Sequence, residues 1–366
     1  MEKIRVLQLE LDYKIGGIET FIYNLYKGID RSGVQFDVLT RRDNPARGNE
    51  LEQLGANVIK IHSYNHPFAY YKELKTIFSK EYDIIHINKN SAAIIIPFYL
   101  ARKYSDSVIV AHSHNTNPTK GSLSGLLHKL NRGYLTRTAD YRLACSKDAG
   151  LWMFGKNAPF QIINNAIDTE KYRYNKQTRD SVRKRLGIEN KWVIGHVGRF
   201  EVQKNHDFLI DIFYQISKLK SDAILMLIGE GTLENEVKGK VKNLGLEDKV
   251  VFLGRQEDTS QFYQAMDVFI FPSLFEGLGI ASIEAQAAGL KSFNSDGVSK
   301  DVKITDLVEF LPLSDGAEKW AERIVRYGYN YPRTDTSEQI KAAGYDIYEE
   351  SAKILDFYKK IINSKE

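Results

Sequence analysis

Short aliphatic runs, apolar on both faces, alternate with amphipathic stretches along the whole chain. In the first half the runs are "IRVLQLEL", "QFDVLT", "NVIKIH", "DIIHIN", "VIVAHS" and "YRLACS"; in the second they are "WVIGHVG", "AILMLIGEG", "VVFLG", "VFIFPS" and "KSFNSD". Helical spacing fills the gaps, as in "ETFIYNLYKGI" and "DFLIDIFYQISKL". Such strands, separated by helices, predict parallel sheets covered on both faces. The alternation pauses over "INNAIDTEKYRYNKQTRDSVRKRLGIENK", which is charged and poor in core residues, and then restarts. That places a junction near Asn164 to Asp168. Two doubly wound α/β domains in tandem follow, residues 1–165 and 166–345, with ligand expected at the carboxyl ends of the strands. The last stretch, within 346–366, is helical with no strand after it, and is expected to pack back on the first domain.

Composition changes this picture little. With 366 residues, 43% hydrophobic and 27% charged, the chain is an ordinary globular protein. Its one cysteine, Cys145, excludes an intrachain disulfide and a multi-cysteine zinc site, and suits a reducing cytoplasm. The start "MEKIRVLQLELDYK" lacks the apolar run of a signal peptide, and "AAIIIPFYLA" is too short to span a bilayer. A cytoplasmic protein, soluble or peripheral on the inner membrane face, is expected. Charge adds one hint: residues 1–165 hold 22 Lys and Arg against 15 Asp and Glu, whereas the remainder holds 29 against 32. The basic half is the one to meet an anionic surface; a nucleic-acid partner is not expected.

Four segments carry candidate chemistry. In "LDYKIGGIETFIYNL" a strand ends, Gly16 and Gly17 turn the chain, and a helix begins, an arrangement that offers amides to a phosphate or is simply a tight turn. In "GHVGRFEVQKNHDFLIDIF" Gly198, Arg199 and Lys204 share one loop, which suits a diphosphate; the bland alternative is a solvated basic loop. "LIGEGTLENEV" repeats the pattern at Gly229, Glu230 and Gly231, a G-x-G too short to signal a dinucleotide. In "PSLFEGLGIASIEAQAAGL" Glu276 and Glu284 stand eight positions apart, with Gly277, Leu278 and Gly279 leading into a helix. Either they are surface carboxylates, or both flank a helix N-terminus and accept from vicinal hydroxyls.

Histidines are the remaining candidates. "VIVAHSHNTNP" puts His112 and His114 on one strand face. No Asp, Glu or Cys cluster completes a ligand set around them or around His62 and His66, so no metal is expected, and one ligand-facing histidine is the preferred reading. "GSLSGLLHKLNRGYLTRTADYR" sets Leu123, Leu126, Leu127, Leu130 and Tyr134 at helical spacing among Lys120, Lys129, Arg132, Arg137 and Arg142. That reads as an interfacial helix on anionic lipid or as a core stripe with basic flanks.

In their order, "GGIE", "AHSHN", "NNAID", "GRFEVQKN", "IGEG" and "FEGLGIASIEAQAAGL" resemble the retaining glycosyltransferases of family 4, and most closely the bacterial capsule and exopolysaccharide branch. The resemblance runs nearly end to end. It implies a GT-B fold, two Rossmann-like domains facing a central cleft, with acceptor bound by the first and nucleotide-sugar donor by the second. It also implies transfer of a hexose or N-acetylhexosamine from a UDP-sugar to a lipid-diphosphate-linked oligosaccharide, without metal or other cofactor. Position by position, Arg199 and Lys204 would grip the donor diphosphate beside Gly198. Glu284 would hold the ribose hydroxyls, and Glu276 the donor sugar near the amides of Gly277 to Gly279. Gly16 and Gly17 would approach the phosphates, His112 the sugar near its reacting carbon, and Gly229 to Gly231 the base. Gly279 and "NNAID" depart from the commoner family forms. A nucleotide-sugar 2-epimerase or a non-catalytic scaffold of the same fold are the alternative readings.

Overall fold

A computed structural model describes residues 3–13, 16–115, 123–329 and 331–364, so Lys120 and residues 121–122 of the basic leucine segment lie outside it. The chain divides into two compact units: residues 1–167 with 344–366, and residues 168–343.

Unit 1 is built on seven parallel strands: β1 (Ile4–Leu11), β2 (Val34–Thr40), β3 (Asn57–Lys60), β4 (Ile84–Lys89), β5 (Val108–Ser113), β6 (Tyr141–Ala144) and β7 (Gln161–Ile162). Their order is β3-β2-β1-β4-β5-β6-β7, so the direction of winding reverses between β1 and β4. Alternation sorts the strand side chains into two cores. Leu7, Leu9, Ile85, Ile87, Ile109 and Ala111 pack with Leu74, Phe98 and Leu135 on one face. Val6, Val38, Ile84, Val108 and Val110 pack with Phe21, Ile22 and Leu25 of the helix Gly17–Gly28 on the other.

The C-terminal helix, Ile347–Asn363, belongs to that second face. The Asp346 side chain caps it, accepting from the amides of Tyr348 and Glu349. Ile354, Leu355, Tyr358 and Ile361 enter the unit 1 core. Gly28 permits the approach, because a Cβ there would sit 2.6 Å from Ser351 Oγ and 2.9 Å from the Ile347 carbonyl oxygen. Where the chain leaves unit 1 and returns to it, the two passes are tied: Ile167 N–H donates to Tyr345 O (2.9 Å) and Ile347 N–H to Ile167 O (2.8 Å).

Unit 2 repeats the plan with six parallel strands, β8 (Trp192–Val197), β9 (Ala223–Ile228), β10 (Val250–Phe252), β11 (Val268–Phe271), β12 (Lys291–Ser295) and β13 (Val308–Leu311). The order is β10-β9-β8-β11-β12-β13, with its reversal between β8 and β11. Both units are therefore doubly wound Rossmann-like domains. Among the described residues no helix is long and apolar enough to cross a membrane. The leucine stripe on the helix Leu123–Thr138 is not core: Leu123, Leu126 and Leu130 are 72%, 56% and 69% exposed. On its other side Leu135 enters the core, and His128 stacks on Trp152 at 3.8 Å and accepts from the Ala92 amide at 3.0 Å.

Candidate functional site

In unit 2 the loops after β8 and β11 flank the winding reversal, the place where a doubly wound sheet opens a crevice. They are laced together. Leu274 N–H donates to Gln203 O (2.8 Å), Gln203 Nε2 to Phe275 O (3.0 Å), and Asn205 Nδ2 to Pro272 O (3.2 Å). Asn205 adopts a left-handed conformation (φ 55°) as the chain turns from the short 3-10 segment Val202–Lys204 into the helix His206–Leu219. The turn leaves Lys204 above the Phe271 ring, with Nζ 4.6 Å from its centroid and 2.6 Å from Glu276 Oε1. The structure thus brings two of the expected site residues into direct contact, and the Glu276 side chain is only 8% exposed.

Arg199 lies exposed at the head of the same loop, and its guanidinium has no ion pair among the described residues. Gly198, behind it, leaves room for its neighbours: a Cβ there would stand 2.9 Å from His196 Nε2 and 3.2 Å from Lys204 Cδ. The Gly229–Gly231 turn serves the backbone. A Cβ on Gly229 (φ 146°) would lie 2.1 Å from Gly198 O, and one on Gly231 2.4 Å from Phe200 O. The two loops meet through Gly198 N–H to Ile228 O (2.9 Å) and Phe200 N–H to Glu230 O (3.0 Å). Glu230 itself is exposed.

The glutamate loop ends at Gly279, whose left-handed conformation (φ 92°) starts the helix Ile280–Ala287. Phe271 and Val298 press on the place its Cβ would fill, at 3.1 and 3.2 Å. Glycine is therefore demanded here twice. Leu278 is buried, while Gly277 is partly exposed. Glu284 sits in the second turn. Tyr172 Oη donates to its Oε1 at 2.9 Å and Tyr263 Oη to its Oε2 at 2.8 Å. Burial first, and the neighbouring carboxylate second, hold both phenols far above the ordinary tyrosine range, so they remain donors. Neither tyrosine stood out in the sequence. Tyr172 lies just after "NNAID" and Tyr263 in "QFYQA", and only the folded unit makes them neighbours.

Arg333 holds this corner from behind. Its guanidinium donates to the carbonyls of Ala288 (2.6 Å), Gln264 (2.7 Å), Tyr263 (2.8 Å) and Met266 (3.0 Å). Those oxygens end the helices Ser260–Ala265 and Ile280–Ala287, the two that carry Tyr263 and Glu284. Burial, then the nearby Arg179 charge, lowers the Arg333 pKa to about 9.

In unit 1, Gly16 caps the helix Gly17–Gly28, as the turn predicted. Its amides are not all open to a ligand, however. The Glu19 carboxylate folds back over the helix start, accepts from the Asp12 amide at 3.1 Å and also engages the Gly16 backbone. Burial raises the Glu19 pKa. His112 and His114 do share one face of the strand segment that starts with β5, with ring centroids 4.1 Å apart. Nε2 of His112 is buried and without a hydrogen-bond partner among the described residues. His62 pairs with Glu73 at 2.6 Å, and no group of three potential ligands gathers among the described residues.

Known proteins share this architecture. Residues 15–171 match the family described as Glycosyltransferase Family 4, and residues 178–301 the family described as Glycosyl transferases group 1. EpsF of Bacillus subtilis (strain 168) is 31% identical over 369 residues, 97% of this chain and 96% of its own. The chain belongs to glycosyltransferase family 4. A second relative of this glycosyltransferase is the UDP-Gal:alpha-D-GlcNAc-diphosphoundecaprenol alpha-1,3-galactosyltransferase of Escherichia coli. It is 23% identical over 99% of this chain and 98% of its own. Among solved structures, Anabaena HepE in complex with UDP superposes with a TM-score of 0.79 at 20% identity, over 97% of this chain and 100% of that one. The likeness establishes the GT-B fold.

Proposed function

We propose that this glycosyltransferase moves a hexose or N-acetylhexosamine, with retention, from a UDP-sugar to a lipid-diphosphate-linked oligosaccharide in capsule or exopolysaccharide assembly. The observation that carries the donor half is the unit 2 corner, with Lys204 on Glu276 and Glu284 between two tyrosine hydroxyls. An ammonium has three N–H donors, so the contact with Glu276 leaves others for phosphate oxygens. Cleavage of a sugar–diphosphate bond leaves negative charge on the departing nucleotide. Arg199, Lys204 and the helix start after Gly279 stabilise that charge. Glu284, turned by its tyrosines, accepts from the ribose diol, and Glu276 from hydroxyls of the sugar. No covalent glycosyl-enzyme is invoked, and the leaving phosphate takes the acceptor proton. HepE was solved with UDP and with UDP-glucose, which supports a UDP-sugar donor.

The acceptor half rests on relatives. The E. coli enzyme acts on a diphosphoundecaprenol-linked sugar, and a Campylobacter jejuni relative, 29% identical over 51% of this chain, is named for a diphospho-undecaprenol substrate. The basic first unit and the exposed leucines of the helix Leu123–Thr138 suit attachment to an anionic membrane face.

Mass spectrometry of a panel of UDP-sugars incubated with lipid-diphosphate oligosaccharides is the direct test. One sugar should be added to acceptor, and Lys204→Ala should reduce its rate about 100-fold or more, the usual cost of losing one preorganised donor. Epimerised nucleotide sugar without acceptor would replace transfer by 2-epimerisation. UDP that fails to raise the melting temperature would remove the donor assignment.

A further inference from the structure

One face of the unit 1 sheet carries a chain of polar side chains that the reaction does not obviously need. Gln8 on β1 pairs in register with His86 on β4, and Asn88 with His112 on β5. All are fully or almost fully buried, among apolar neighbours, where a polar group costs free energy unless it is hydrogen-bonded. The C-terminal helix covers them, and its Tyr358 points its hydroxyl into the row.

The direction of each hydrogen bond can be worked out from one fixed point. Leu9 O is a main-chain carbonyl and can only accept. Asn88 faces it at 3.3 Å, so that side of the amide is Nδ2. The same Nδ2 lies 2.9 Å from Gln8, whose facing atom must accept and is Oε1. Gln8 Nε2 then faces Tyr358 and donates to its Oη at 3.2 Å. Asn88 Oδ1 is left to accept from His114 Nε2 at 2.9 Å. Among the described residues the other partner of Tyr358 Oη is His86 Nδ1, 2.6 Å away, and since Gln8 Nε2 only donates, the buried hydroxyl hydrogen goes to His86 Nδ1. An imidazole that accepts at Nδ1 carries its hydrogen at Nε2, and His86 Nε2 stands 3.2 Å from His112 Nδ1. His112 accepts in its turn, so its hydrogen is on Nε2, the buried nitrogen with no partner among the described residues.

The reasoning needs neutral rings, since a charged one donates from both nitrogens. Burial holds His86 and His114 down to about 3, and pushes His112 in the same direction, with the neighbouring histidines reinforcing it. Phe21 packs edge-on against His112 with centroids 4.6 Å apart, which restrains rotation of the ring.

We infer that Tyr358 and His86 are positioning residues: their hydrogen bonds lock His112 as the Nε2–H tautomer, so His112 meets the substrate as an N–H donor and not as a base. The inference builds on the reading of His112 as a donor-sugar contact and narrows it. The ligand atom at His112 must be an oxygen with a free lone pair, and the acceptor's proton must leave by another route. It also gives the return of the C-terminal helix a chemical purpose.

Nitrogen-15 spectra of the imidazoles, recorded on labelled full-length protein, read the tautomer directly. His112 should show a protonated Nε2 and an unprotonated Nδ1. Tyr358→Phe should make the His86 and His112 signals a tautomer mixture and lower kcat about tenfold, with KM for the donor changed less than threefold. His86→Gln accepts through its oxygen and donates through its nitrogen, so it preserves the polarity of the chain. It should keep more than a third of wild-type kcat, where His86→Leu loses about tenfold. A wild-type His112 protonated at Nδ1 overturns the inference, without need of any variant. So does Tyr358→Phe with unchanged tautomer and kcat. His112→Ala at full activity, with the Nε2–H signal present in the wild type, would leave the lock standing and remove only the sugar contact.

Discussion

Two tyrosine hydroxyls decide where the Glu284 carboxylate points, and that is where a single atom matters most. Removing one by Tyr263→Phe keeps the ring in place and takes away a hydrogen bond to a charged acceptor, worth roughly 1.5–3 kcal/mol. The KM for the nucleotide sugar should rise on the order of tenfold while kcat falls less. An unchanged KM would separate Glu284 from donor binding. Buried histidines give a second effect at this scale. Burial holds His86 and His114 down to about 3 and His196 to about 4, each below its unfolded value of 6.5. Between those values the unfolded chain binds more protons than the folded one, so stability is complete above about pH 6.5 and is lost as pH falls. Each histidine contributes a slope of about 1.4 kcal/mol per pH unit. Urea midpoints measured from pH 7.5 to 5 should therefore drop steadily; a flat profile would mean that these rings are not held neutral.

At the level of elements, two lacings matter. Loops after β8 and β9 touch through backbone where glycine alone fits, and Arg333 gathers the carbonyl ends of the two helices that bear Tyr263 and Glu284. Arg333→Met keeps the bulk and strands those carbonyls, several of them out of reach of water. Unit 2 should lose about 2–4 kcal/mol in denaturant unfolding, with UDP-dependent stabilisation weakened more than the fold. Equal UDP response in variant and wild type would confine Arg333 to stability. The sequence shows Arg333 only as one more basic residue in a polar stretch. Its role comes from burial, which a pattern of residue types does not reveal.

Over the whole molecule, the alternation of apolar runs and helices was legible because most strands carry aliphatic residues on both faces, and eleven runs correspond to strands. The two that escaped notice have physical reasons: β7 is two exposed residues, and β13 is four with Glu309 among them. Of the candidate site, the glycine loops, Lys204 and the glutamates were legible, because their chemistry is confined to short stretches. Tyr172, Tyr263, Arg333 and Tyr358 act across separations of twenty-one to 350 positions, which only folding closes. Phe68 is 90% exposed, and it adds to the leucines Leu123, Leu126 and Leu130 as apolar surface on unit 1. Replacing those three leucines by serine should lower binding to vesicles containing phosphatidylglycerol about tenfold or more, and raised salt should weaken what remains. Vesicle binding indifferent to both changes would put the membrane contact elsewhere.

The return of the last helix to unit 1 sets a timetable for the ribosome. Ile354, Leu355, Tyr358 and Ile361 complete a core whose other members are made first, whereas unit 2 is one uninterrupted segment. Domains usually mature in the order of their synthesis; here the earlier-made lobe must wait with part of one sheet face uncovered until residues 347–363 have been made. Nascent chains stalled with residue 343 just released from the exit tunnel should resist protease across 168–343 and be cut within 1–167. Protection spread evenly over both would show that the sheet matures without its final cover.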